Sequence, residues 1–234
     1  MTAPGDDREH ILAAIRAALG RGVASPSERQ AVADRLACPV RGIIPERGRT
    51  DGAALVSQFI AEAERVNAVV QTVAAWDAVP AAVAAYLRDA KLAMRLKLAP
   101  DPVITAIPWA REPSLSFSIG AAAADDLVAV TSAYAGIGET GTLLLRSGPT
   151  SPTNLKFLPE VHVVVLPTAW IVGTYEDAWD CLRADGCETM PRVVNWITGP
   201  SRTADIEQTL LLGAHGPKQL LIVLVDAEPQ PTQT

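Results

Sequence analysis

The chain is predicted to fold as an α/β domain built on a mostly parallel sheet covered by helices on both faces. Three observations predict it. Helical and strand-like segments alternate from residue 51 onward, as in layered α/β proteins. Val161 to Leu166 and Gln219 to Asp226 are apolar runs of strand character. The 234 residues, 49% hydrophobic and 20% charged, are an ordinary globular balance for one large domain.

Each element has its own local reason. Asp6 to Leu19 reads as an N-terminal helical arm: Asp6 and Glu9 form a capping-box-like start, Ile11, Leu12, Ile15 and Leu19 share a face, and Gly20 ends it. Residues 21–50 lack a period and read as an irregular connector, so residues 1–50 stand apart from an α/β domain over 51–228. Ala54 to Arg65 and Val79 to Ala90 are helical, with Ala68 to Val73 a short strand between them. Lys91 to Leu98 alternates Leu92, Met94, Leu96 and Leu98 against Lys91, Arg95 and Lys97, as a half-exposed strand at or near a sheet edge does. Prolines break up residues 100–126. Leu127 to Tyr134 and Thr142 to Arg146 read as strands flanking a turn, and Thr174 to Ala184 as a capped helix. Val193 to Ile197, a helix from Ser201 or Thr203 to Gly213, and Gln219 to Asp226 then make a βαβ unit. Residues 229–234 are a polar tail, expected to be disordered.

Composition excludes several classes. A net charge of −6 and pI near 5.1 argue against a general nucleic-acid surface. Cys38, Cys181 and Cys187 form no Cys-x-x-Cys pair, so neither a disulfide framework nor a cluster in this chain follows, and a cytoplasmic location is expected. The N-terminus lacks the apolar region of a signal peptide, and no run approaches the roughly 18 residues a membrane span needs.

Two segments carry chemistry. Gly136-Ile137-Gly138-Glu139-Thr140-Gly141 matches G-x-G-x-x-G, but apolar, β-branched residues follow where a dinucleotide site needs a helix. The glycines instead suit a sharp turn between strands, presenting Glu139 as a candidate base or nucleophile with Thr140, Gly141 and Thr142 beside it. The second segment, Gly199-Pro200-Ser201-Arg202-Thr203-Ala204-Asp205-Ile206-Glu207, sets Ser201, Arg202, Thr203 and Asp205 at an expected helix N-terminus, where an anion would be favoured. Both loops follow strands, so both are expected at the carboxyl edge of the sheet in one pocket. His215, after the helix, is expected at the opposite edge. His162 reads as a buried, satisfied histidine and His10 as solvated; Asn154 and Lys156 are weaker candidates for contacting an acidic ligand. The tryptophans Trp170, Trp179 and Trp196 are assigned to the core.

The second segment with the following Gly213-Ala214-His215-Gly216-Pro217, the Gly138-Glu139-Thr140-Gly141-Thr142-Leu143 turn, and Phe157 to Val165 together resemble the lactate utilization (LUD) domain family. The match covers roughly the last half of the chain and looks most like the protein C type. It departs in one place, with Gly138 where the common form has Ala before the Glu. The resemblance implies a NagB/RpiA/CoA-transferase-like fold and a cytoplasmic system oxidising lactate to pyruvate beside an iron–sulfur partner. Any cluster would then belong to the partner, and the expected anion-binding turn at Arg202 would suit a small carboxylate or other anion. An acyl- or CoA-transferase with Glu139 as nucleophile, and a non-catalytic assembly subunit, stand as alternatives.

Overall fold

The structure, a computed structural model, describes residues 4–185, 190–203 and 211–228. The chain divides into two compact units, one ending at Ile43 and one beginning at Ile44. The first holds α1 (Pro4–Ala18) and α2 (Pro26–Ala37). Helix α1 starts before the expected cap at Asp6. The stretch expected to be irregular contains α2, closed by a capping box in which Ser25 accepts from Glu28 N–H and Glu28 accepts from Ser25 N–H.

The second unit runs α3 (Gly52–Arg65), β1 (Val69–Val73), α4 (Val79–Asp89), β2 (Arg95–Leu98), α5 (Pro102–Thr105), β3 (Ser116–Ile119) and β4 (Val128–Ser132). It continues through β5 (Ala135–Ile137), β6 (Thr142–Arg146), β7 (Val161–Pro167), β8 (Ile171–Val172), α6 (Tyr175–Ala184) and β9 (Val194–Ile197). Last come β10 (Arg202–Thr203), β11 (Leu211–Leu212) and β12 (Gln219–Val225). Strands β1, β12, β7, β4, β2 and β3 form, in that order, a six-stranded parallel sheet. Its central strands are predominantly apolar because both faces are covered. Val161, Val163 and Val165 of β7, with Leu221, Val223 and Val225 of β12, pack on Val79, Val83 and Leu87 of α4. Val164 and Leu166, with Leu220, Ile222 and Leu224, pack on Leu55, Phe59 and Ala63 of α3. As its alternation predicts, β2 lies next to an edge, with β3 outside it.

The second face is not covered by helix alone. A smaller sheet, ordered β8-β5-β6-β9, shares that layer: Leu143 and Leu145 of β6 join the core under α3. On its far side Ala135, Ile137 and Leu144 pack on Ala178 and Leu182 of α6. Strand β9 therefore belongs to the small sheet, antiparallel to β6, and β12 to the large one. The two strands of the expected βαβ unit thus do not share a sheet, and residues 204–210, most of its expected helix, lie outside the described residues. Where its helix was expected to start and end, Arg202 pairs with Leu212 and Thr203 with Leu211 in an antiparallel ladder. Asp205 lies outside the described residues, as do Cys187 and the 229–234 tail.

Candidate functional site

The Gly-rich turn is a strand–turn–strand, as its sequence implies: β5 and β6 pair antiparallel, with Ile137 opposite Thr142. Gly141 has φ +63°, and a Cβ there would sit 2.6 Å from Ala63 Cα, so only glycine lets the turn press against α3. A Cβ on Gly138 would collide with the end of the Leu55 side chain, which gives the Gly-for-Ala departure a packing reason. The turn is consequently buried. Glu139 is 6% exposed; it accepts from the Tyr175 N–H at 3.4 Å, at the N-terminus of α6, and pairs with Arg47 at 3.8 Å. Its own N–H donates to Gly173. These contacts make the carboxylate a clamp between hairpin, helix dipole and Arg47.

Thr140 and Thr142 enter a hydroxyl network. Thr140 donates to Tyr175 at 3.1 Å, Thr142 lies 2.8 Å from Thr140 and 2.9 Å from Tyr175, and Thr198 lies 2.7 Å from Thr142. Each hydroxyl has one hydrogen, so the first bond orders the rest: Thr142 donates to Thr140, and Tyr175 and Thr198 both donate to Thr142. Thr142 is fully buried, whereas Thr198 reaches a cleft.

That cleft, about 350 Å³, contains Ser201 and Arg202 but not Glu139. His162 and Leu220, the second residues of parallel strands β7 and β12, line it, so it opens at the amino ends of the sheet, opposite to the expected edge. His215, expected far away, lies on the same cleft as Arg202. The reason is the antiparallel pairing of Arg202 and Thr203 with Leu212 and Leu211, which brings the two ends of the segment together. The Ser201 hydroxyl, instead of capping a helix, accepts from His215 N–H at 3.3 Å; Ser201 N–H donates to Pro217 and Gly213 N–H to Ser201. Arg202 and His215 are exposed at the rim, and Lys156 and His162 form a buried floor.

The floor is basic and poorly neutralised. Lys156 is fully buried, its Nζ donating to the carbonyls of Arg146 at 2.7 Å and Ser151 at 3.4 Å; burial lowers its pKa to about 8. His162 Nε2 lies 2.8 Å from the Thr131 hydroxyl, while Nδ1 has no partner among the described residues. Burial, then the nearby Lys156 charge, lower its pKa to about 3, so the ring is neutral near pH 7. No Asp or Glu is among the described residues lining the cleft, in a chain of net charge −6. Asn154, in contrast, is structural, exchanging hydrogen bonds with the Ala122 backbone.

A larger cleft of about 860 Å³ opens at the carboxyl ends, between Asp101, Ser132 and Trp170. Its charges are already used. Ser132 donates to Asp101, whose other oxygen caps Val103 N–H, and Arg146 lies 4.0 Å over the Tyr134 ring while bonding Asp185 at 3.0 Å. The smaller cleft is the one with unspent polar capacity.

Sequence reading underweighted Lys156, His162 and Thr198. The available signal was Lys156 itself, set between Leu155 and Phe157, since a lysine in an apolar run either snorkels or is held for a reason. Trp196 also lines the cleft, in tilted ring contacts with Tyr175 at 5.0 Å and Trp179 at 5.3 Å. Among the described residues no helix is long and apolar enough to cross a membrane.

Comparison with known proteins gives a consistent picture. A family model described as the LUD domain matches residues 56–225. An uncharacterized protein, NMB1437, of Neisseria meningitidis is 41% identical over 95 residues, 40% of each chain. Lactate utilization protein C of Bacillus subtilis is 36% identical over 101 residues, 42% of each, and that of Bacillus licheniformis 30% identical over 129 residues, 50% of this chain and 53% of the other. The aligned part thus spans about 40% of the length of the first two. The crystal structure of a duf162 family protein from Deinococcus radiodurans shares the fold, with a TM-score of 0.56, 21% identity, and coverage of 76% of this chain and 99% of that one.

Proposed function

The chain belongs to the LUD domain family, and from that premise we propose that it serves in lactate utilization, holding a small carboxylate in the amino-end cleft while lactate is oxidised to pyruvate with an iron–sulfur partner. The observation that carries the reading is the cleft itself. Lys156 and Arg202 line it without an acidic neighbour among the described residues, in a chain that is acidic overall. A low-dielectric basic recess in an acidic surface concentrates field lines and attracts anions. Arg202 and the Ser201 hydroxyl supply directional donors for a carboxylate. No ordinary side chain accepts two electrons from a hydroxy acid, so the reaction requires an acceptor, which this reading assigns to the partner.

The test is a thermal-shift and calorimetric series with lactate, pyruvate, inorganic phosphate, CoA and nucleotides. Lactate or pyruvate at about 100 times Kd should stabilise the fold by about 2.7 kcal/mol. Stabilisation by CoA alone would favour a transferase, and no response to any carboxylate would overturn the assignment.

A further inference from the structure

We propose that His162 is the specificity residue of the cleft, donating a hydrogen bond from Nδ1 to the oxygen on C2 of a 2-oxo or 2-hydroxy acid. The inference rests on the cleft's being a small-carboxylate site. Its independent observation is that the ring is 1% exposed, lines the cleft, and has one nitrogen held and one unpartnered among the described residues. An unpaired buried polar atom is costly and in native proteins calls for a partner.

Hydrogen counting selects the tautomer. If Nε2 carried the hydrogen and donated to Thr131, the Thr131 hydroxyl hydrogen and the Nδ1 lone pair would both be left over, since the only side-chain bond described for Thr131 is the one to His162. If Thr131 donates to Nε2, only the Nδ1 hydrogen is left over. The second arrangement leaves one orphan instead of two. Nδ1–H is then a buried donor on a ring that lines a cleft whose cationic side chains, Lys156 and Arg202, are also donors. Lys156 already donates to two carbonyls and keeps one hydrogen, so Arg202 and Nδ1–H are the donors with the most to gain from an acceptor. A carboxylate satisfies Arg202 and Ser201 at the rim, and the oxygen on the adjacent carbon can satisfy His162 below. Propionate lacks that oxygen.

Nitrogen-15 NMR of the histidine rings, with His162 identified by subtraction using His10→Gln and His215→Gln, reads the tautomer in the native fold. The expected result is an Nδ1-protonated ring whose Nδ1–H signal moves with pyruvate but not with propionate. Calorimetry should show pyruvate binding roughly 3- to 10-fold more tightly than propionate, a preference lost in His162→Phe. An Nε2-protonated ring, or equal affinity for the two acids, would sink the specificity role while leaving the carboxylate site standing. Should neither acid bind, both readings fall together.

Discussion

The hydroxyls of Thr142 and Thr198 meet at 2.7 Å, and through that contact the buried turn at Glu139 touches the wall of the basic cleft. The two signature segments are therefore coupled without sharing a pocket. Replacing Thr142 by Val leaves the part-buried Tyr175 hydroxyl without its acceptor, which should cost about 1–3 kcal/mol, while the exposed Thr198 hydroxyl can turn to water. Thr198→Val removes only one donor to Thr142 and should cost less than about 1 kcal/mol. Urea denaturation of the two variants gives the order, and equal losses would contradict the hydrogen-bond directions assigned here.

His162 should make the fold acid-sensitive. Its pKa falls from the ordinary 6.5 to about 3, so between those values the unfolded chain binds the extra proton and the folded one does not. Stability then falls as pH drops, by up to about 1.4 kcal/mol per pH unit below 6.5. His162→Phe should flatten this part of the stability–pH curve; an unchanged slope would show that the ring protonates in the native state.

Lys156 should act with opposite signs on stability and on binding. Its pKa falls from 10.5 to about 8, so from pH 8 to 10.5 the unfolded chain is the more protonated and stability rises with pH. Over the same range the cleft loses its buried cation and carboxylate affinity should weaken. Calorimetry and thermal melts at pH 7, 8 and 9.5 check both trends, which Lys156→Met should abolish together. Affinity that does not fall above pH 8 would remove Lys156 from the anion site.

The regular elements were legible because burial imposes a period. Apart from His162 and Gln219, Val161 to Pro167 and Gln219 to Val225 are apolar since both sheet faces are covered, and β2 alternates beside the edge. Of the small sheet, β6 and β9 were legible as strands, but Ile171–Val172 and Ala135–Ile137 were not, because strands of two or three residues carry too little pattern. Helix α2 was announced by Ser25 and Glu28, but its exposed surface lacks an apolar stripe to draw notice. The Ser201 segment misled for a different reason. A hydroxyl followed by a later glycine suits a capped helix and a strand turn equally well, and the partners that decide, His215 N–H and Pro217 C=O, are distant in sequence. Placing Ser201 and His215 at opposite edges followed from that one ambiguity.

Glu139→Gln separates clamp from catalyst. The carboxylate meets Tyr175 N–H and Arg47 and lines neither cleft described above, so loss of its charge should lower stability by about 1 kcal/mol. Affinity for pyruvate should stay within about twofold. Unchanged stability together with lost ligand affinity would return Glu139 to the site.

Arg202 tests the proposed division of labour with an iron–sulfur partner. Removing two electrons from lactate needs an acceptor that side chains do not provide, so the isolated chain should not turn over lactate with soluble acceptors, and activity should appear when the iron–sulfur partner is added. In that assembly Arg202→Ala should reduce kcat/KM by about 10- to 100-fold, the range expected when a charge-assisted contact of about 1.5–3 kcal/mol is lost. Arg202→Lys restores the charge but not the planar fork that grips both carboxylate oxygens, so it should recover part of the loss. Because Arg202 is exposed at the rim, neither substitution leaves a buried group unpaired, and the melting temperature should stay near that of the parent. A kinetic loss with an unchanged melt therefore reports on substrate binding. Turnover by the chain alone would refute the need for a partner, and full activity of Arg202→Ala would leave the guanidinium as a solvated feature of β10.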